Sequence, residues 1–312
     1  MEQDECMVSV VCLAYNHGKY IRQTLDGFVS QKTNFKIEIL IHDDASTDDT
    51  ADIIREYEAK YPNLFNPTYQ IENQYSKGVK IVTSILYPKA KGKYLALCEG
   101  DDYWIDPYKL QKQVDFLESH PDYGLVHTKA VEFLQEENKL LDTVRGSDFD
   151  SYDDLLLCDR IATLTTCFKK ELYKSYLRDV EIDKSWKMGD FPIWLYIAAN
   201  SKIYFMDEVT SVYRILKQSA SHFTDWEKHI EFIFSFFDIE CYFMHKYHHE
   251  YMHKRIAQRL FSMILNIHNQ NHQKINISYY KRRLKVESLG PLFMLKCYLR
   301  LIKHGNWIER DK

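Results

Sequence analysis

No Cys-x-x-Cys pair, no run approaching the roughly 18 apolar residues of a membrane span and no internal repeat of solenoid period occur in this sequence. A disulfide framework, a spanning helix and a repeat array are set aside. The seven cysteines (6, 12, 98, 158, 167, 241 and 297) are an odd set, and several lie in apolar runs such as Val11-Cys12-Leu13 and Ala96-Leu97-Cys98. They read as reduced, buried thiols of a cytosolic protein. The stretch Met1-Glu2-Gln3-Asp4-Glu5 is acidic and has no apolar signal core, so export is not expected. At 45% apolar, 14% aromatic and 28% charged residues the chain has globular composition, which excludes disorder as the main state. Its 312 residues suit one large domain or two modest ones.

A net charge of −4 conceals strong polarity. From residue 241 onward, 14 Lys and Arg stand against 4 Asp and Glu, a net +10 that leaves −14 for residues 1–240. A basic C-terminal third suits nucleic acid, anionic lipid or a phosphorylated substrate, and a solvated helical face accounts for it equally well. It matches no nucleic-acid reader motif, so no nucleic-acid partner is expected.

Residues 8–14 (VSVVCLA), 37–41 (IEILI) and 94–98 (YLALC) are near-continuous apolar runs of strand length, the pattern of buried strands. Helices are expected at 20–30, 50–60 and 78–90, the second introduced by Ser46-Thr47-Asp48-Asp49 with the Ser-x-x-acid spacing of a capping box. Asp106-Pro107 reads as an N-cap and first-turn proline opening a helix that His120-Pro121 closes, with a strand following at 124–131. Strand alternating with helix predicts an α/β fold with parallel pairing, and such sheets bind ligands beyond the carboxyl ends of their strands. Beyond about residue 222 the text turns aromatic, basic and helical, which predicts domains of 1–222 and 223–312, the second all-helical.

Three polar clusters directly follow the expected strands: Tyr15-Asn16-His17-Gly18, Asp43-Asp44-Ala45-Ser46 and Glu99-Gly100-Asp101-Asp102. They should gather at one sheet edge, where crowded carboxylates call for a bound cation or for donors on a ligand. For any single pair, helix capping is the competing account. Glu99 and Asp101 flank a glycine that lets another group approach closely. Their hard oxygens suit Mn²⁺ or Mg²⁺. Because Mg²⁺ is commonly held by one or two carboxylates together with substrate phosphates, a nucleoside diphosphate or similar ligand is implied. His245, His248, His249 and His253 are spaced as zinc ligands could be, but no acidic or cysteine partner joins them at ligand spacing; a solvated helix face is the better reading.

In this order, VSVVCLAYNHGKYI, EILIHDDASTDDT, AKGKYLALCEGDDYWIDPYKLQKQV and MGDFPIW resemble the nucleotide-sugar glycosyltransferases of glycosyltransferase family 2 over roughly residues 7–222. The likeness is to bacterial members that build capsule, O-antigen or other surface polysaccharides. It implies the GT-A fold: a Rossmann-like, mixed and mostly parallel sheet flanked by helices, here with an all-helical C-terminal appendage.

Carried over residue by residue, the resemblance implies that the backbone at Leu13 and the ring of Tyr15 line the nucleoside pocket, that Asp44 hydrogen-bonds the base and that Asp43 orients its turn. Lys80 is assigned to the donor, in a region where many relatives carry Arg-Asn and this chain has Thr83-Ser84. Glu99 stands at the first position of the family's Asp-x-Asp motif and would face the ribose; Gly100 lies between, Asp101 matches the metal-binding aspartate and Asp102 supports the loop. Arg214 and His222 stand where relatives close a loop over the donor, and are assigned to diphosphate or metal contact. Tyr103, Trp104 and Trp194 are candidates for the acceptor, with core packing the competing fate of such rings.

Asp190 in Met188-Gly189-Asp190-Phe191-Pro192 matches the family's general base. With a reference pKa of about 3.9 it would act by position and late proton transfer, and it is equally placed to cap the helix that follows. The expected activity is therefore an inverting, Mn²⁺- or Mg²⁺-dependent transfer from a nucleoside diphosphate sugar, UDP by preference, to a saccharide or lipid-linked saccharide. A cytoplasmic location is expected, with 241–312 meeting the anionic inner face of the membrane or a second copy in a homodimer. The alternative is a catalytically inactive nucleotide-sugar-binding or scaffold protein with a helical dimerisation region.

Overall fold

The computed structural model describes residues 5–217 and 225–303. Its strands are β1 (Cys6–Ala14), β2 (Lys36–Asp43), β3 (Phe65–Tyr69), β4 (Tyr94–Leu97), β5 (Tyr103–Trp104), β6 (Tyr123–Leu134), β7 (Lys139–Arg145), β8 (Cys167–Lys169) and β9 (Lys202–Ile215). Its helices are α1 (Ile21–Val29), α2 (Thr50–Lys60), α3 (Lys109–Ser119), α4 (Tyr152–Leu157), α5 (Lys170–Asp179), α6 (Phe191–Asn200), α7 (Trp226–Lys246), α8 (His253–Gln270), α9 (Ile277–Arg283) and α10 (Pro291–Lys303). They form two compact units: one from Met1–Phe149, Arg160–Glu181 and Tyr196–Lys217, the other from Asp150–Asp159, Ile182–Leu195 and Gln218–Lys312.

The first unit holds one mixed sheet in the order β3-β2-β1-β4-β8-β6-β9-β5, with β7 paired to β6. β1 is parallel to both β2 and β4, β2 to β3, and β6 to β9, while β8 joins the two halves by antiparallel pairing to β4 and β6. As an inner strand, β1 has to be apolar on both faces. Val8, Val10, Cys12 and Ala14 enter the core with Ile21, Leu25 and Phe28 of α1 and Leu110 and Val114 of α3.

Several local expectations are corrected. The helix expected at 78–90 is present but shorter and irregular: a π-helix at Val82–Leu86 runs into a 3-10 helix at Tyr87–Lys89. Branched Ile81, Val82, Thr83 and Ile85 are poor helix formers, and Pro88 supplies no N–H donor. Ser46 does not close a capping box: its hydroxyl accepts from the Asn16 amide at 2.9 Å, and Asp48 caps Thr50 at 3.1 Å. β3 was hidden by Pro67, which an edge strand tolerates.

In the second unit, Asp225 caps α7 by accepting from the Glu227 amide at 2.9 Å. Phe191 stacks on Phe236 at 4.5 Å, Trp186 meets Tyr242 at 5.2 Å, and Phe261 of α8 meets Phe293 of α10 at 6.2 Å. The histidines at 248 and 249 lie in the connection after α7, not on a helix face; His248 has φ 62° there. His249 Nδ1 pairs with Asp153 of α4 at 2.6 Å, so an acidic partner comes from distant sequence. All seven cysteines are free; Cys158 is exposed and Cys6 partly so, in contrast to the uniformly buried set expected. No described helix is long and apolar enough to cross a membrane.

Candidate active site

Hydrogen bonds draw the three polar clusters to the carboxyl ends of β1, β2 and β4. The Asp44 amide donates to Ala14 O at 2.9 Å and the Gly100 amide to Leu13 O at 2.8 Å, which ties the second and third clusters to the first. Asn16 Oδ1 accepts from the Thr47 amide at 2.8 Å, and Asp48 accepts from the Gly18 amide at 2.9 Å. Asn16 and Ala45 occupy the left-handed region at φ 55° and 61°, unusual for a residue such as alanine and a sign of strain held by the surrounding turns. A side chain at position 100 would crowd its neighbours: its Cβ would lie 2.8 Å from His17 Nδ1, 2.8 Å from Ile21 Cδ1 and 3.1 Å from Leu13 O, so the surrounding side chains would have to shift.

Asp43 and Asp44 are both 3% exposed. Asp44 accepts from the Gln74 and Tyr75 amides at 2.7 and 3.0 Å, so it anchors the loop of residues 73–75. Each of its oxygens retains a second lone pair for a ligand donor. Asp43 Oδ1 is buried with no hydrogen-bond partner among the described residues, and Oδ2 takes the Ser46 amide at 3.4 Å. Tyr15 is 45% exposed on the rim, and Lys80 is exposed in the segment leading to the π-helix.

The acidic turn is set by strand register. β5 pairs antiparallel with β9, Tyr103 opposite Val212 and Trp104 opposite Ser211, and continuing that register places Asp101 across from Arg214. Arg214 Nε donates to Asp101 O at 2.7 Å, and the Arg214 amide donates to Asp102 Oδ1 at 2.7 Å. Its remaining nitrogens bond Gln23 at 2.7 Å and Gln135, and the guanidinium lies 5.0, 5.1 and 5.5 Å from the ring centres of Tyr20, Tyr103 and Phe133. Arg214, expected on the diphosphate or the metal, is 5% exposed and clamps the backbone of the acidic turn. Burial, then the charges of Asp101 and Glu99, push the Asp102 carboxyl well above the usual range.

The rings expected on the acceptor are engaged by packing to different degrees. Trp104 is buried against Phe28 at 4.8 Å, beneath Lys109 Nζ at 4.4 Å, with Nε1 donating to Leu164 O at 2.8 Å; Trp194 is fully buried. Neither offers a face to a sugar, because packing claimed the ring. Tyr103 is partly exposed, with its ring engaged by Arg214. Asp190, in the second unit, starts α6: its carbonyl accepts from the Ile193 amide at 2.8 Å and its Oδ1 from the Phe191 amide at 2.9 Å. His222 lies outside the described residues.

Sequence reasoning missed two residues at this edge. Thr24 of α1 is fully buried and donates to Gly100 O at 3.0 Å and Asp102 O at 2.6 Å. His17 lies within the fields of Asp101, Asp48 and Asp43, but burial is the larger effect and lowers its pKa. His17 was visible within the first polar cluster; Thr24 had no local signal.

As a donor set, Glu99 and Asp101 are two hard-oxygen side chains, both partly exposed. No group of three or more His, Cys, Asp or Glu side chains among the described residues is assembled to hold a metal. Two carboxylates fit a Mg²⁺- or Mn²⁺-type ion whose other ligands are phosphates and water, and their charges add to the effect of burial in raising the pKa of Asp102.

The mixed sheet with acidic turns at its strand ends is the GT-A fold. The sequence model of Glycosyl transferase family 2 matches residues 9–174, more than half of the chain, and the chain belongs to that family. An uncharacterised protein of Mycobacterium tuberculosis is 52% identical over 115 residues; these are 37% of this chain, which spans only 32% of that relative's length. The Escherichia coli protein named UDP-Glc:alpha-D-GlcNAc-diphosphoundecaprenol beta-1,3-glucosyltransferase WfaP is 30% identical over 217 residues, 69% of this chain and 80% of its own. Residues 1–349 of S. aureus TarS, solved in complex with UDP-GlcNAc, share the fold with a TM-score of 0.60 at 17% identity, over 98% of this chain and 94% of that one.

Proposed function

We propose that this chain is an inverting glycosyltransferase that moves a sugar from a nucleoside diphosphate, UDP by preference, to a saccharide or lipid-linked saccharide in surface-polysaccharide synthesis. The observation that carries the reading is the gathering of Asp43, Asp44, Glu99, Asp101 and Asp102 at one edge of the sheet, braced by buried Arg214. Family membership and the printed activity of WfaP, a transfer from UDP-Glc to a diphosphoundecaprenol-linked sugar, support the donor and acceptor classes.

In this reading the Leu13 backbone, Tyr15 and the spare lone pairs of Asp44 receive the nucleoside. Glu99 and Asp101 would hold Mn²⁺ or Mg²⁺, which would neutralise charge on the departing diphosphate. The acceptor oxygen attacks the anomeric carbon from the face opposite the diphosphate. As that C–O bond forms, the C–O bond to the diphosphate breaks, the nucleoside diphosphate leaves with the electron pair, and the hydroxyl proton passes to Asp190. One displacement inverts the anomeric centre.

Asp190→Asn tests the base directly, because an amide oxygen can still accept from the Phe191 amide and preserve the start of α6. The expected outcome is donor binding within about twofold of wild type and turnover lowered by about 100-fold or more. Equal turnover in the variant would refute the assignment.

A further inference from the structure

Helix α10 carries two apolar faces where packing needs one. Phe293 meets Phe261 of α8, and Cys297 and Leu301 are 2% exposed, which fixes the inward side. Outward, Leu292, Leu295 and Leu299 are 68%, 54% and 58% exposed. At 100° per residue these three fall within about 60° of one another, with Tyr298 on one flank and Lys296 and Arg300 on the other. No Asp or Glu occurs from Pro291 to Lys303.

We propose that this outward face of α10 is the docking surface for an anionic lipid bilayer. A stripe of exposed leucines bordered by cations and a tyrosine is the composition of a helix lying in the plane of an interface, the leucines entering the acyl boundary and the cations and phenol staying at the headgroups. Charge complementarity selects the lipid: the chain from residue 241 is +10, and each cation near an anionic surface raises partitioning by about fivefold. In an antiparallel twofold pair the flank carrying Lys296 and Arg300 would lie on the same side as that of the other copy, which opposes this pairing. The inference stands on the helical unit and does not depend on the transferase reading.

The test is co-sedimentation of the full chain with vesicles of phosphatidylcholine alone and of phosphatidylcholine mixed with phosphatidylglycerol, at low and high salt. Binding is expected on the anionic vesicles at low salt and is weakened by salt. Leu295→Ser with Leu299→Ser, and separately Lys296→Gln with Arg300→Gln, should each lower partitioning by about tenfold or more while thermal unfolding stays unchanged, because these side chains are exposed. No sedimentation with anionic vesicles, or sedimentation indifferent to the leucine pair, would overturn the proposal. So would a dimer in analytical ultracentrifugation that the leucine pair abolishes, since the face would then be a contact between copies.

Discussion

Arg214 is a cation held among Tyr20, Tyr103 and Phe133, and its guanidinium donates to Asp101 O, Gln23 and Gln135. A side chain so engaged holds the backbone of the acidic turn in place. The contrast with Asp44 is instructive: its carboxylate is also engaged by backbone amides, yet an ionised carboxylate has acceptor capacity to spare. Local text revealed Asp101 and Asp44 because acidic residues after apolar strands are conspicuous. Thr24 and Gln23 were invisible, since their partners lie 76 to 191 positions away in the chain. A second residue-scale consequence concerns His127, fully buried beside Phe149 and Phe205, whose pKa burial lowers to about 3. Folded protein keeps this imidazole neutral while the unfolded chain protonates near pH 6.5, so its stabilising contribution is present above about pH 6.5 and is lost as pH falls toward 3. Thermal melts from pH 7 to pH 4 should show a steeper loss of Tm in wild type than in His127→Leu. Parallel pH slopes would contradict this origin of acid sensitivity.

Among the elements, the central strands and their covering helices were legible because β1, β2 and β4 are continuous apolar runs and α1 to α3 are amphipathic or flanked by turn chemistry. What escaped was set by tertiary pairing. β5 is two residues long and exists through β9, and β9 is interrupted by exposed Asp207 and Glu208 that break its alternation. Yet the β5–β9 register is what places Asp101 opposite Arg214. Close approach of α1 to β5 fixes the acidic turn from the other side: a Cβ at Gly27 would lie 2.8 Å from Trp104 O. Because the obstacle is backbone, it cannot rotate away. Gly27→Ala should therefore destabilise the protein by about 1–3 kcal/mol in urea unfolding and weaken nucleotide binding in parallel. Unchanged stability would show that α1 and β5 can separate without cost.

At the scale of the whole molecule, the acidic stretch 1–240 includes a carboxylate-rich strand edge in the first unit, and the basic stretch from 241 includes an exposed leucine stripe in the second. Composition alone showed the polarity but could not say which cations were exposed or beside what. Asp190 and Trp194 belong to the second unit and every other described candidate to the first. The reading rests on the strand edge acting as a nucleotide and metal site, and calorimetric titration of UDP into the protein with and without Mn²⁺ tests this most directly. Saturable binding that strengthens with Mn²⁺, and that Asp101→Ala weakens by about tenfold or more with circular dichroism unchanged, is the predicted result. Absence of binding by UDP and by other nucleoside diphosphates in Mn²⁺, or affinity and metal dependence left intact in Asp101→Ala, would contradict it.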